Sequence, residues 1–166
     1  MSTKNLYNDK AKKKIKDLAE DIDFAMLATA LGTKPISAIP MSTKKVDEDG
    51  NIWFLSGKNS DHNTDIAKDD AAQLFYSDPG SMEFLSVYGN VKIISDKAIL
   101  EELYGKTDDN WFDGVDDPNL SALKFIPSDA FYWDTKNNKL VTLFKMGVGA
   151  ITGNQPDIGE QGELKV

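Results

Sequence analysis

The sequence feature that most constrains the fold is a hairpin pattern in residues 36–62, which read ISAIPMSTKKVDEDGNIWFLSGKNSDH. Pro40 cannot donate a backbone hydrogen bond, so its strand is expected at a sheet edge or beside a bulge. Residues 47–50, DEDG, end in a glycine that tolerates a positive φ, which is typical of a β-hairpin turn. The return strand, residues 51–55, leads through a small polar loop, residues 56–61, to a helix start. The segment therefore predicts β structure built from hairpins.

The rest of the chain alternates short apolar runs with turn residues. Further strands are predicted at residues 24–30, 72–77, 83–95, 122–126, 130–134 and 140–144. Amphipathic spacing and capping residues predict helices at residues 8–22, 62–69 and 97–104. Gly89, inside the longest strand, indicates a bulge or a barrel bend. Residues 147–166 predict a polar, glycine-containing tail that is mobile at its end.

These elements favour one domain over residues 1–166, and the fold class is mainly β. An N-terminal helix precedes a barrel over residues 24–144, into which short helices are inserted. Because the strands are mostly linked by hairpins, the sheet is expected to be mainly antiparallel. Closure into a small barrel with flanking helices would remove its exposed edges.

Composition excludes several classes of function. The chain has no cysteine, which rules out disulfides, thiolate metal sites and cysteine nucleophiles and suits a reducing cytoplasm. A net charge of −8 disfavours nucleic-acid binding, because such a surface repels phosphate backbones. No apolar run approaches the length of a membrane span. With a single histidine and no cysteine, no metal site is expected.

The loop at residues 56–61 has two interpretations. Its small residues precede a helix start, where free N–H groups and the helix dipole can bind an anion, and Lys58 and His62 can add hydrogen bonds. It is equally described as an ordinary loop whose Ser60 or Asp61 caps a helix. A serine triad built on His62 stays open, although the chain has no GxSxG motif.

The aromatic and acidic residues also allow more than one role. Trp53 and Trp133 lie on predicted strands and are expected in the core or an interface. Trp111 and Phe112 lie in an irregular acidic segment and favour a dimer interface or a ligand lid. Adjacent acidic pairs, such as Asp108 with Asp109, are expected in solvated turns.

Several segments, taken in order, resemble a known family. They are FAMLATA, the IPMSTKKVDEDGNIWFLSG hairpin, FYSDP, SVYGNVKIISD, EELYGKTDDNWFDGVDDPNLSALKFIPSDAFYWD and LFKMGVGAITGNQPDIGE. Together they resemble the pyridoxamine 5'-phosphate oxidase-like split barrels, and in particular the general stress protein 26 branch. The resemblance spans about residues 15–160 and implies an FMN-binding, antiparallel split β-barrel. It also implies a homodimer with FMN, or FAD as the alternative, at the subunit interface.

The resemblance implies positions for the cofactor as well. The strand matching residues 37–42 would run under the flavin ring, and the segments matching residues 54–57 and 60–62 would hold the ribityl phosphate. The second subunit would cover the ring with segments around its tryptophans. The candidate cofactor-binding residues are Ser37, Ile39, Pro40, Met41, Ser42, Phe54, Leu55, Ser56, Gly57, Lys58, Ser60, His62, Trp111 and Trp133.

The chain departs from the family pattern at two of these positions. Ile39 stands where many relatives carry arginine, and His62 stands where many carry lysine. Each lost charge-assisted hydrogen bond is worth roughly 1.5–3 kcal/mol, so flavin affinity is expected to be weak. The chain also ends in GEQGELKV, whereas true pyridoxamine phosphate oxidases end in a basic, substrate-reading segment.

The function that follows is a flavin-binding, oxidoreductase-like general stress protein. Its substrate is unknown, and no residue is assigned as a catalytic acid or base. Two alternatives stay open: a non-catalytic protein that stores or senses flavin, and a structural dimer that has lost its cofactor.

Overall fold

The computed structural model describes residues 1–135 and 159–166. The helices are α1, Asp9–Ile22; α2, Asp61–Lys68; and α3, Lys97–Leu103; a 3-10 turn follows at Lys106–Asn110. The strands are β1, Ser2–Thr3; β2, Leu6–Tyr7; β3, Phe24–Thr29; β4, Ser37–Ser42; β5, Lys45–Val46; β6, Ile52–Gly57; β7, Ala71–Asp78; β8, Glu83–Ile94; β9, Leu120–Thr135; and β10, Gly159–Lys165. The predicted strand at residues 140–144 and the first part of the predicted tail lie outside the described residues.

The strands form one mainly antiparallel sheet of the split-barrel type, as predicted. Its main order is β1-β10-β9-β8-β7-β3-β4, and β6 joins it by pairing with β9. Within the described chain, seven of nine strand pairs are antiparallel, and the two parallel pairs join β10 to β1 and β2. Among residues 1–135 and 159–166, no pairing of β4 with β5 or β6 closes the barrel. The expected closure was therefore wrong, and β4, which carries Pro40, is an edge strand.

Helix α1 covers the inner face of the sheet. Its Ala11, Ile15, Leu18 and Ala19 are buried at the three- and four-residue spacing of one helix face. They pack in the main core with residues of β3, β6, β7 and β8. A second, smaller core lies where α3 packs on β6 and β9. The irregular segment after α3 is anchored on this second core.

The hairpin at residues 47–50 forms as predicted, and Asp47 fixes its geometry. Gly50 has φ +86°, and the Asp47 carboxylate accepts hydrogen bonds from the backbone N–H of Asn51 at 2.9 Å and from Nε1 of Trp53 at 2.9 Å. Burial alone would raise the pKa of Asp47, but hydrogen bonds from the Asn51 and Trp53 side chains hold it below its usual value. The strand that follows is longer than expected, because Ser56 and Gly57 pair with Ser121 and Leu120.

Strand β9 corrects the prediction of two strands at residues 122–126 and 130–134. It is continuous through Pro127, which lies opposite Gly89 where the register shifts between Tyr88 and Gly89. The predicted irregularity at Gly89 is therefore present. A Cβ atom at Gly89 would clash with the Ile126 carbonyl oxygen, so only glycine allows this approach. Pro127 does not interrupt the strand, because the missing N–H falls at the bulge.

The C-terminal residues also differ from the prediction of a mobile tail. Gly159–Lys165 forms β10, which pairs with Asp129–Thr135 on one side and with β1 and β2 on the other. A Cβ at Gly162 would clash with the Lys4 carbonyl oxygen, so glycine admits the N-terminal chain. The tail was misassigned because its order comes from two distant strands rather than from local periodicity.

In the described part of the chain, no helix is long and apolar enough to cross a membrane. The absence of nucleic-acid partners and the cytoplasmic location stay predictions.

Candidate functional site

A cavity of about 500 Å³ opens beside the edge strand β4. One wall is formed by β4, β6 and the end of α1, and the other is formed by the segment that follows α3. The described lining residues are Asp23, Phe24, Pro40, Met41, Ser42, Lys44, Leu55, Thr107, Asp108, Trp111 and Phe112. Its size and its apolar walls with a few polar groups suit a small organic ligand.

The β4 wall is formed by the end of β4 and the residues just after it. Pro40, Met41, Ser42 and Lys44 all line the cavity, and Lys44 lies two residues beyond the end of β4. The Ser42 hydroxyl donates to Oδ1 of Asp23 at 3.0 Å, which fixes the end of β4 against the end of α1. Edge strands leave backbone groups unpaired, and β4 ends the strand order in the described sheet. A ligand can therefore approach the β4 backbone directly.

The opposite wall is held by a partly buried ion pair. Nζ of Lys44 donates to Oδ2 of Asp108 at 2.7 Å, and their side chains are only 18% and 11% exposed. The same carboxylate oxygen accepts from the Gly105 N–H at 2.7 Å. The Trp111 N–H donates to the Asp108 carbonyl at 2.9 Å. Asp108 is thus a buried structural anchor, and its expected place in a solvated turn was wrong.

Two adjacent aromatic residues complete this wall. Phe112 packs against the second core, so its ring is supported from behind. Trp111 lines the cavity but is 73% exposed, which is unusual for the largest apolar side chain. A flat ligand between Trp111 and the β4 wall would bury this surface by stacking.

Most hydrogen-bond donors of the loop before α2 have partners within the chain. The Lys58 and Asn59 N–H groups donate to the backbone and side-chain oxygens of Asn119 at 2.6 and 3.0 Å. Nζ of Lys58 donates to the Pro118 carbonyl at 3.0 Å. Ser60 caps α2, as predicted, by accepting from the Asn63 N–H. The donors that could meet an anion are therefore mostly engaged.

His62 points towards hydroxyl groups of this loop. Its Nε2 lies 2.6 Å from Oγ of Ser56 and 3.0 Å from Oγ of Ser60. The Ser56 hydroxyl in turn donates to Oδ1 of the buried Asn63 at 2.7 Å. Burial lowers the pKa of His62 below 6.5, although the nearby Asp61 and Asp65 oppose this shift. His62 is therefore neutral at pH 7 and belongs to an internal hydrogen-bond network.

The structure brings five of the fourteen predicted cofactor residues to the cavity. They are Pro40, Met41, Ser42, Leu55 and Trp111. Of the residues that the structure describes, those numbered 56–62 do not line it. Ile39 packs against the main core, Phe54 is fully buried, and Ser37 begins β4. Trp133 lies on β9 beside Phe131, with ring centroids 4.7 Å apart.

Lys44, Asp108 and Thr107 are cavity residues that sequence reasoning missed. Lys44 lies beyond the end of β4, so strand alternation did not predict its place on the cavity wall. The burial of Asp108 depends on Lys44, which is distant in sequence, and carries no local signal. In the described chain, no group of three histidine, cysteine or acidic residues could hold a metal ion.

A mainly antiparallel sheet with an edge-strand cavity for a flat ligand defines the class of split-barrel proteins. The chain belongs to the family whose model is described as pyridoxamine 5'-phosphate oxidase like, and the match covers residues 10–157. A search of curated proteins found no match.

Solved structures support the general stress protein branch of this fold. A structure described as general stress protein 26 from Jannaschia sp. CCS1 is 28% identical, with a TM-score of 0.77, and the match covers 95% of this chain and 98% of that one. The general stress FMN/FAD binding protein from Xanthomonas citri is 24% identical, with a TM-score of 0.64 and coverage of 77% and 90%. A protein related to general stress protein 26 from Clostridium acetobutylicum is 22% identical, with a TM-score of 0.64 and coverage of 79% and 93%. The last two show the fold alone.

The residues around the cavity fit the ring of a flavin nucleotide, whereas those of the loop at residues 56–62 do not fit its phosphate. The cavity offers apolar surface, an exposed tryptophan and the polar groups of Lys44, Ser42 and Thr107, which suit a flat ring with polar edges. The loop at residues 56–62 does not fit a phosphate that carries nearly two negative charges. Its histidine is neutral, and its lysine and most of its N–H groups already have partners.

Proposed function

We propose that this protein binds the isoalloxazine ring of a flavin in the cavity beside β4. The observation that carries the proposal is the cavity itself, because its volume, its exposed Trp111 and its polar rim match a flat amphipathic ring. The cofactor class expected from the resemblance is FMN, with FAD as the alternative. A relative described as an FMN/FAD binding protein supports the same class.

The roles of the wall residues follow from their chemistry. Pro40, Met41 and Leu55 would contact one face of the ring, and Trp111 would contact the other. Lys44 stands at the rim, where an ammonium group can donate to ring oxygen or nitrogen atoms. Bound flavin supplies redox chemistry that no amino-acid side chain offers, whereas the protein supplies orientation and exclusion of water.

An oxidoreductase is the first candidate function, and a flavin store or sensor is the second. In the described part of the wall, the ionisable side chains are Asp23, Lys44 and Asp108. Lys44 pairs with Asp108, and Asp23 accepts from Ser42, so all three already have structural partners. None of these groups is assigned as a general acid or base, so the non-catalytic candidate stays open beside the oxidoreductase.

Titration of flavin fluorescence tests the proposal. We expect FMN fluorescence to be quenched on addition of the purified protein, with a dissociation constant in the micromolar range. NADH or NADPH is then added to the complex without oxygen. Bleaching of the flavin spectrum would support the oxidoreductase, and a stable oxidised spectrum would support storage or sensing. No binding at millimolar flavin would overturn both candidates.

We also propose a homodimer formed by the outer face of the sheet. Register places Met26, Phe75 and Phe131 in one row across β3, β7, β8 and β9, with Ser86 between the last two. Phe24 and Phe75 are 60% and 46% exposed. The outer apolar face consists of Phe24, Met26, Phe75, Phe84, Phe131 and Trp133.

A second copy of the chain is the partner that this face suits best. The centre of the outer apolar face contains the uncharged Gln73, Ser77 and Ser86, whereas the charged Glu163 lies at its β10 edge beside Phe131, so two copies can meet at the centre without burying like charges. An apolar patch of this kind is a typical interaction surface. Phe24 belongs both to this face and to the cavity wall, so the dimer would also cover the ligand site.

Sedimentation analysis tests the dimer. Phe75→Lys puts a charge in the centre of the outer apolar face, and we expect it to convert a dimer into a folded monomer. Thr64→Lys is the matched control, because Thr64 is exposed on α2, a helix that packs into the main core through Ile66 and not onto the outer apolar face, and it should leave the dimer intact. A wild-type protein that sediments as a monomer at micromolar concentration would contradict the proposal.

A further inference from the structure

The loop at residues 56–62 is hydrogen-bonded to the segment at residues 117–121. Besides the bonds from Lys58 and Asn59 to Pro118 and Asn119, Oγ of Ser121 donates to the Ser56 carbonyl at 2.9 Å. Nδ2 of Asn63 donates to the same Ser121 hydroxyl at 3.1 Å. A phosphate placed in this loop would have to displace several of these bonds. The loop's hydrogen bonds therefore connect it to the rest of the chain, and few of its donors are left for an anion.

The charges around the loop also oppose a dianion. Within residues 1–135 and 159–166, the N–H groups of Asp61 and His62 are the two backbone donors at the start of α2 that remain for an anion, and the acids beside them act against it. The Asp61 carboxylate stands on the same turn, and Asp65 follows one turn later. The chain carries a net charge of −8, so no overall positive potential offsets these acids.

A comparison of FMN with riboflavin shows how much affinity charged phosphate contacts would add. Each charge-assisted hydrogen bond to phosphate typically improves affinity by roughly tenfold to a hundredfold. Riboflavin has the same ring as FMN but ends in a hydroxyl group, so a site with two such bonds would prefer FMN by two or more orders of magnitude. A site without them would scarcely distinguish the two ligands.

We infer that this protein selects the flavin ring and not the phosphate, so that riboflavin is a ligand equivalent to FMN. His62 is the residue that determines this selectivity, because its imidazole, in the first turn of α2, contacts the Ser56 and Ser60 hydroxyls in place of a fixed positive charge. The inference rests on the proposed flavin site in the cavity. It extends that proposal by naming the ligand class as flavins in general, with or without a phosphate.

Parallel titrations of riboflavin and FMN with the wild-type protein test the inference without any variant. We expect the two dissociation constants to agree within about threefold at low salt. The ratio should also stay constant as NaCl is raised, because charge contacts would be screened and uncharged ones would not. A preference for FMN of tenfold or more would overturn the inference and leave the proposed function intact. Failure of both flavins to bind would overturn both.

A charged variant identifies the residue responsible. His62→Lys places a fixed positive charge in the loop, and we expect FMN affinity to rise at least fivefold while riboflavin affinity is unchanged. Thr64→Lys is the matched control, because it adds the same charge at an exposed position of α2 and should leave the ratio near that of the wild type. If His62→Lys leaves the ratio unchanged, or if Thr64→Lys shifts it equally, the role assigned to His62 is overturned.

Discussion

The cavity beside β4 and the loop before α2 come from the same stretch of sequence but have opposite properties. The cavity leaves the large aromatic side chain of Trp111 exposed, although the Lys44 and Ser42 side chains in its wall have partners within the chain. In the loop, the side chains of Ser56, Lys58 and His62 all contact other residues of the chain. On the proposed flavin site, this segment keeps its ring-binding half, while its phosphate-binding half is engaged in structural hydrogen bonds.

The largest expected effect comes from breaking the ion pair that holds the cavity open. Lys44→Met leaves the Asp108 carboxylate partly buried with only a backbone partner. We expect the free energy of unfolding, measured in urea, to fall by about 2 kcal/mol, and flavin affinity to fall with it.

Lys97→Met is the control for this variant. Lys97 pairs with Asp116 at 2.7 Å, but both side chains are exposed, so solvent screens the pair. Its removal should leave the unfolding free energy unchanged. Equal stability losses in the two variants would show that the cavity wall does not depend on the Lys44–Asp108 pair.

A smaller effect is expected from the exposed tryptophan. Trp111→Leu removes the aromatic face that would stack on the ring, and we expect flavin binding to weaken about tenfold, or roughly 1.4 kcal/mol. Trp111→Phe keeps an aromatic face and should stay within about threefold of the wild type. Fluorescence titration measures both variants, and unchanged affinity in Trp111→Leu would remove Trp111 from the site.

The smallest effect concerns the loop and its neutral histidine. Because burial lowers the pKa of His62, the unfolded chain takes up a proton below about pH 6.5 that the folded chain does not. The stability contributed by neutral His62 is complete above this pH and declines as the pH falls towards the lower folded-state pKa. We therefore expect the difference in unfolding free energy between wild type and His62→Gln to shrink from pH 7.5 to 5.5. A difference that grows as the pH falls would show a charged His62 in the folded protein.

Features that depend on local chemistry were predictable from the sequence. The hairpin at Gly50, the Ser60 helix cap and the irregularity at Gly89 all formed where expected. Each rests on a residue type whose backbone preference or side-chain donor acts within a few positions of itself. Trp111 was predicted in a dimer interface or a ligand lid; it lines the cavity and is 73% exposed, and the predicted role stays a prediction.

Features that depend on distant partners were not predictable in this way. The two-residue strands β1 and β2 have no periodicity of their own and exist because β10 lies beside them. Strand β9 continues through Pro127 only because the bulge at Gly89 faces it. Asp108 is buried because Lys44, far away in sequence, reaches it. The resemblance identified some of the cavity residues. The hydrogen bonds from the Lys58 and Asn59 N–H groups to Asn119 became apparent only from the structure.

Riboflavin titration of the wild type and of a cavity-filling variant tests the central claim most directly. Ser42→Trp inserts an indole into the space beside β4, whereas Ser128→Trp makes the same change at an exposed serine outside the lining. We expect Ser42→Trp to lose at least a hundredfold in riboflavin affinity while remaining folded, and Ser128→Trp to bind like the wild type. Riboflavin binding that is equal in all three proteins would show that the flavin ring does not occupy this cavity.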